Sequence, residues 1–279
     1  MTGAIREEAP AKVNLVLQVG RRRPNGLHEL CSLFASLDLH DVVTVEPAGE
    51  ADEVVCPGVK GPNLASAALE ALRVDAGVKL PPLRVTIEKR IPVAAGLGGG
   101  SADAAAVLRA VRRLAGAELD DDALRHVAER LGSDVPSQVR PGHAIVTGTG
   151  GAVEPIALAP MWLVLVPSPR GLATAHVFAE ADRLGGTRER LDPDALRQLA
   201  ARPPEAVGGA LENDLERAAL SLRPELPRTL AALREQGALG VLVSGSGPTA
   251  FGVFARRDAA EEAAAQLDGA IVTGLRESR

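Results

Sequence analysis

Pro92-Val-Ala-Ala-Gly96-Leu-Gly-Gly-Gly-Ser101 packs four glycines into five positions, directly ahead of a stretch whose Val107, Leu108, Val111 and Leu114 mark one face of a helix. A helix that opens on glycine presents bare backbone N–H groups and the positive end of its dipole, which together bind phosphate oxygens. Ser101 is placed to cap this helix, and Asp103 to favour its N-terminal dipole. The bland alternative is a flexible strand-to-helix connection. A P-loop is excluded, because it needs Gly-Lys and none of the four lysines (Lys12, Lys60, Lys79, Lys89) follows glycine. The dinucleotide fingerprint would need glycine at position 101, where serine stands, so a Rossmann oxidoreductase is only a remote alternative.

Upstream of this loop, Lys12 to Val19 alternates as a half-buried strand and Pro24-Asn25-Gly26 closes it with turn residues. Val42 to Glu46 and Leu83 to Ile87 read as further strands, and Asn63 to Leu72 as a helix with apolar residues at 64, 68, 69 and 72. Downstream, a second helix starts in Asp120-Asp121-Asp122 and ends at Gly132. From about residue 155 the pattern restarts with the strand Trp162 to Val166 and a long helical region broken at Pro203-Pro204. It finishes with Val241-Leu-Val, the loop Ser244-Gly-Ser-Gly-Pro-Thr249, a strand near Phe251 to Phe254 and a helix near Ala259 to Leu267. We divide the chain into domains 1–154 and 155–279.

The 279 residues carry a net charge of −5 with 46% apolar and 24% charged residues, an ordinary globular composition that excludes disorder as the overall state. Mild acidity without a basic block argues against nucleic acid as a partner. Two cysteines without C-x-x-C spacing exclude disulfide and zinc scaffolds, and the five histidines show no ligand spacing. Glu7 and Glu8 lie where a signal peptide would be apolar, and the stretch from Pro155 to Pro169 is too short to span a membrane. The expectation is a cytoplasmic protein with no membrane partner, monomeric or weakly homodimeric.

Three further features carry chemistry. Lys12 and Asn14, both of scarce residue types, share a strand face. Asp134, in Gly-Ser-Asp-Val-Pro, is either the N-cap of a short helix or a base. Gly245 and Gly247 either turn a tight hairpin or bring more N–H groups to the same anion.

Together these segments resemble the GHMP kinases, whose phosphate loop has the form P-x-x-x-G-L-[GA]-[SG]-[SG]-[SA]. Within that superfamily the chain is most similar to the 4-diphosphocytidyl-2-C-methyl-D-erythritol kinases. The likeness runs through Ala9-Pro-Ala-Lys-Val-Asn-Leu15, Pro24-Asn-Gly-Leu-His-Glu29, Leu131-Gly-Ser-Asp-Val-Pro136 and Ser244-Gly-Ser-Gly-Pro-Thr249. The resemblance implies a two-domain α+β GHMP kinase fold: an N-terminal domain like domain 2 of ribosomal protein S5 and a ferredoxin-like C-terminal domain, with the active site between them. It implies transfer of the γ-phosphate of ATP, with Mg²⁺, to the 2-hydroxyl of a cytidine diphosphate-linked methylerythritol, a small-molecule substrate of the non-mevalonate route to isoprenoid precursors.

By the same resemblance Asp134 is the catalytic base and Lys12 orients the hydroxyl and stabilises developing charge. Pro92, Ala95, Gly96, Leu97, Gly98, Gly99, Gly100, Ser101 and Ala102 hold the triphosphate, Asn63 lies near adenine, and Ser101 is a candidate metal contact. Asn14, His28, Thr174, Phe178, Gly245 and Gly247 face the substrate, His28 toward cytosine. The Asn213-Asp214 pair matches a family motif and is read as structural. Leu27 stands where the family usually has a tyrosine stacked on cytosine; Ser137 replaces a usual aromatic and Gly151 a usual acid. The alternatives are a homoserine or mevalonate type kinase and a non-catalytic nucleotide-binding relative.

Overall fold

The computed structural model describes residues 3–59, 63–74, 77, 80–115 and 119–277. Lys60 and Lys79 lie outside the described residues. In chain order the elements are β1 (Ile5–Arg22), β2 (His28–Pro47), β3 (Glu53–Val55), α1 (Leu64–Val74), β4 (Leu83–Glu88), α2 (Gly99–Ala115), α3 (Asp121–Glu129) and α4 (Val135–Val139). There follow β5 (Ala144–Gly148), β6 (Ala152–Pro155), β7 (Trp162–Val166), α5 (Thr174–Leu184), α6 (Pro193–Ala200), α7 (Pro204–Gly209), β8 (Glu212–Asn213) and α8 (Glu216–Leu222). The chain closes with α9 (Leu226–Glu235), β9 (Gly240–Val243), β10 (Ala250–Phe254), α10 (Arg257–Ala264) and β11 (Ile271–Gly274). Two compact units result, neither continuous in sequence: residues 1–11, 39–93 and 98–141 form the first, and 12–38, 94–97 and 142–279 the second.

In the first unit the C-terminal part of β2 pairs antiparallel with β4, and β3 adds to β4 in parallel. The strands and α1 to α4 enclose one core that includes Val43, Leu69, Leu83, Ile87, Leu108 and Leu124. The single apolar face expected of α2 is an underestimate: every residue from Ala102 to Val111 is buried. Alanines at 102, 104, 105, 106 and 110 let neighbours close on all sides, and alanine is too small to register in a pattern of large apolar residues. The one guanidinium among them, that of Arg109, is anchored by the carbonyls of Gln138 at 2.6 Å and Glu8 at 2.5 Å.

The second unit contains a four-stranded antiparallel sheet in the order β11-β7-β10-β9. Numbered by appearance, those strands run 4-1-3-2, with helices between the first and second and between the third and fourth, which is the ferredoxin-like arrangement. Beside it, the C-terminal part of β1 pairs with β8 and the N-terminal part of β2 with β5. The strand at Lys12 to Val19 is not half-buried as its alternation predicts; Ala9 to Gly20 is buried throughout. Its polar positions are covered because Lys12 bonds to Asn14, Asn14 to Ser32 on β2, and Gln18 Oε1 accepts from the Asp192 N–H ahead of α6.

Candidate active site

Period-two geometry puts Lys12 and Asn14 on one face of β1, and the structure joins them: Lys12 Nζ donates to Asn14 Oδ1 at 2.8 Å. Asn14 Nδ2 donates to Ser32 Oγ at 2.8 Å, and that hydroxyl donates to the Val16 carbonyl at 2.6 Å. The lysine ammonium also lies 4.6 Å from the centroid of the Phe34 ring, and the residue is only 4% exposed. A buried ammonium held from two sides is confined to a narrow range of positions.

Residues 94–97 lie against this pair. Lys12 N donates to Leu97 O at 3.0 Å, Ser244 Oγ to Gly96 O at 3.0 Å and Thr249 N to Ala95 O at 3.3 Å. Glycine at 96 is required twice over: its φ is +75°, and a Cβ there would lie 2.5 Å from Ser244 O and 2.7 Å from Gly247 O. The segment Ser244 to Thr249 is indeed a hairpin turn, closed by Ser244 N on Thr249 O at 2.9 Å and Gly247 N on Ser244 O at 2.8 Å. It is also close to the polar pair, since a Cβ on Gly245 would stand 3.1 Å from Asn14 Oδ1 and 3.6 Å from Lys12 Nζ. Asn213 fixes that turn by donating from Nδ2 to Val243 O and Gly245 O, both at 2.8 Å, while Asp214 takes the Val19 N–H at 2.8 Å and a bidentate Arg188. This pair is structural.

The rest of the glycine loop belongs to the first unit. Helix α2 begins at Gly99, with Ala102 N donating to Gly98 O at 2.9 Å. Ser101 therefore is not the cap; it sits inside the first turn, and Gly98 occupies the capping position. The N–H groups of Gly99, Gly100 and Ser101 are thereby the leading donors of the helix, turned to its N-terminal end. Asp103 does not serve the dipole either. It pairs with Lys89, whose Nζ lies 2.8 Å from Asp103 Oδ2 and 2.5 Å from Asp41 Oδ2. The other oxygen of Asp41 accepts from the backbone N–H of Arg90 and Ile91 at 2.5 and 2.8 Å, just ahead of Pro92. Burial pushes the Asp103 carboxyl up to about 7 against the pull of Lys89. Lys89 and Asp41 went unassigned in the sequence, where lysine scarcity was the only signal.

Asp134 precedes α4 at the N-cap position, yet its side chain makes no capping bond. Helix capping is thus not what its carboxylate does. Asn63 does cap: its Oδ1 accepts from Ala65 N at 2.9 Å at the start of α1.

His28, Thr174 and Phe178, expected from the sequence to face a substrate, gather in the second unit. His28 opens β2 and is 7% exposed; its Nε2 lies 2.8 Å from Asp182 Oδ1, and its ring stacks on Phe178 at 5.1 Å and 25°. Thr174 Oγ1 is 3.0 Å from Ser246 Oγ in the hairpin turn. Asp182 was missed, although Thr174, Phe178 and Asp182 fall at i, i+4 and i+8 of one helix, a spacing that puts all three on one face. Leu27, next to His28, is 54% exposed.

Among the described residues no group of three or more His, Cys, Asp or Glu side chains could hold a metal ion, and no helix is long and apolar enough to cross a membrane.

Residues 63–142 match the GHMP kinases N terminal domain, and residues 195–271 the GHMP kinases C terminal family. A 4-diphosphocytidyl-2-C-methyl-D-erythritol kinase of a Nocardioides species is 42% identical over 276 residues, covering 94% of this chain and 92% of the relative. The enzyme of the same name from Anaeromyxobacter dehalogenans is 43% identical over 272 residues, covering 94% and 84%. A crystal structure of 4-(cytidine 5'-diphospho)-2C-methyl-D-erythritol kinase superposes with a TM-score of 0.81 at 36% identity, covering 98% of this chain and 100% of the other. With the same two-part kinase fold and identity of this extent along nearly its whole length, the chain belongs to the 4-diphosphocytidyl-2-C-methyl-D-erythritol kinase family of the GHMP kinases.

Proposed function

We propose that the protein transfers the γ-phosphoryl group of ATP to the 2-hydroxyl of 4-diphosphocytidyl-2-C-methyl-D-erythritol, in the cytoplasm, as a step toward isoprenoid precursors. The observation that carries this reading is the Lys12–Asn14 pair, buried beside two glycine turns, in the unit that also holds the stacked His28. Phosphoryl transfer asks a protein for positioning and charge stabilisation more than covalent chemistry. Lys12 orients the acceptor hydroxyl and meets the charge that develops on the phosphoryl oxygens. Asp134, with no helix-capping duty, accepts the hydroxyl proton. The N–H groups of Gly98 to Ser101, with Pro92, Ala95 to Leu97 and Ala102 shaping the approach, hold the triphosphate, and Asn63 lies toward adenine. Asn14, Thr174, Gly245 and Gly247 line the path of the diphosphate and sugar, and His28 with Phe178 takes the cytosine.

The donor set fits Mg²⁺ riding on the nucleotide rather than resident in the protein, since magnesium keeps waters and substrate phosphates as most of its ligands. Ser101 would supply a hydroxyl oxygen to it. Bound there, the ion would neutralise the triphosphate.

ADP release with MgATP and a panel of the cytidine-linked substrate, homoserine and mevalonate tests the assignment. Turnover confined to the first is expected, and Asp134→Asn should cut kcat by ~10²–10⁴ with ATP affinity retained, because it removes a base and not a phosphate ligand. Turnover with another acceptor alone, or ATP binding without turnover, would replace the reading with a sibling kinase or a nucleotide-binding relative.

A further inference from the structure

We infer that Asp182 is a specificity-determining positioning residue, which makes the site choose a cytidine-linked over a uridine-linked acceptor by fixing where His28 carries its proton. This rests on the proposed function, in that His28 must face the base.

The geometry is set by one helix face. Asp182 and Phe178, one turn apart on α5, grip the same imidazole, the ring by a stack at 5.1 Å and Nε2 by a carboxylate oxygen at 2.8 Å. An ionised carboxylate can only accept, so the neutral ring must carry its hydrogen on Nε2 and leave Nδ1 as an acceptor. The stack on Phe178 holds the plane of the ring, and the carboxylate holds Nε2 within it. The two pyrimidines differ at adjacent positions of one edge: cytosine presents an amino donor where uracil presents a carbonyl oxygen, and its N3 accepts where that of uracil carries a hydrogen. An Nδ1 acceptor pairs with the amino group and faces a lone pair on the carbonyl. The Asp182 side chain is 39% exposed, while its partner ring is 5% exposed. A carboxylate so placed is not there to fill the core, and its replacement leaves the packing of α5 to Val177 and Ala181, the buried residues of that helix.

The test compares the wild-type chain, Asp182→Asn, His28→Ala and the double variant. Each is assayed with the cytidine-linked substrate and its uridine-linked counterpart, and by inhibition with CDP and UDP. Asparagine keeps the shape but can donate as well as accept, so it no longer dictates the tautomer. We expect Asp182→Asn to raise KM for the cytidine substrate ~10-fold at near-constant kcat, the size of one well-made hydrogen bond. The ratio of CDP to UDP inhibition should fall toward one, and the substitution should change nothing further in the His28→Ala background. An unchanged CDP to UDP ratio in Asp182→Asn overturns the proposal, as does an equal loss when His28 is already absent, or a wild-type protein that binds UDP as well as CDP. Binding ratios need no turnover, so a protein that prefers CDP yet phosphorylates nothing refutes the proposed function and leaves this assignment to stand on the variants.

Discussion

The two ends of the proposed substrate site in the second unit are built on opposite principles. At the end proposed for phosphate, around Lys12, Gly96 and Gly245, glycine backbone surrounds side chains that are sealed: Lys12 and Asn14 are 4% and 2% exposed. At the base end the surface is made of side chains from β2 and α5, with Leu27 more than half exposed beside it. A phosphate is the same in every substrate, so its cradle can be rigid and tightly packed. A base is what distinguishes substrates, and its pocket is assembled from groups that can change one at a time. Substitutions at the first end should therefore damage kcat, the KM for ATP or the fold, and at the second the KM for the acceptor alone.

Between these two ends the largest effect is expected at Lys12. Guanidinium is flat and wide, and the ammonium it would replace is confined between Asn14 Oδ1 at 2.8 Å and the Phe34 ring at 4.6 Å. Lys12→Arg should lower kcat by ~10²–10³, the range seen when one preorganised donor is lost from a charge-stabilising site. Single-turnover rates with saturating substrates check it, and an arginine enzyme as fast as wild type would show that the sealed end tolerates exchange after all.

Gly96→Ala should act on the fold as well as on the reaction. Left-handed backbone costs an alanine ~1–2 kcal/mol before any clash is counted. The clash here is with two backbone carbonyls, which cannot swing aside as a side chain would. A total loss of ~2–4 kcal/mol is expected, placing it among the strained-backbone substitutions, and denaturant unfolding reads it directly. Stability within experimental error of wild type would mean that the apposed turns are not a rigid unit.

These two ends also differ in how much of them is legible in the sequence. Glycine requirements are written locally, so Gly96 and Gly245 could be singled out from spacing alone, as could Lys12 and Asn14 from their shared strand face. The cap at Gly98 was misplaced to Ser101 because serine is the better capping residue in general and the start of a helix is hard to place within glycines. Asp182 differs: helical spacing places it on the face of Thr174 and Phe178, but it meets His28 across 154 positions of chain, and no local pattern encodes that contact. The ferredoxin-like strand order is likewise a matter of which strands meet, which hydrophobic period cannot convey.

Leu27→Tyr sharpens the comparison from the other side. Leu27 is 54% exposed, so a ring added there displaces solvent and not core. Base stacking on an aromatic side chain contributes ~1–3 kcal/mol, equivalent to ~5- to 150-fold in affinity. KM for the cytidine-linked substrate should fall within that range while kcat holds. An unchanged or higher KM would mean that the base does not pass over position 27.

The smallest effect tests whether the glycine loop is propped from the C-terminal part of the chain. Ala94 has a φ of +54°, the one non-glycine in left-handed backbone among the described residues. A Cβ built on Gly171 would come within 2.9 Å of its methyl. Gly171→Ala alone therefore has to push Ala94 out of its strained conformation, and KM for ATP should rise a few-fold with a loss of ~1–2 kcal/mol in stability, as for a modest overpacking. Ala94→Gly alone exchanges relief of left-handed strain for added freedom in the unfolded chain, two terms of ~1 kcal/mol each and of opposite sign, so stability should barely move. Together the two substitutions remove the clash, leaving the new methyl 3.4 Å from the Ala94 carbonyl oxygen. The double variant should recover most of what Gly171→Ala lost, with a coupling of ~0.5–2 kcal/mol. Strict additivity would mean that residue 171 yields on its own and that the rigidity of the phosphate end comes from β1 and the hairpin turn, without support from the segment ahead of α5.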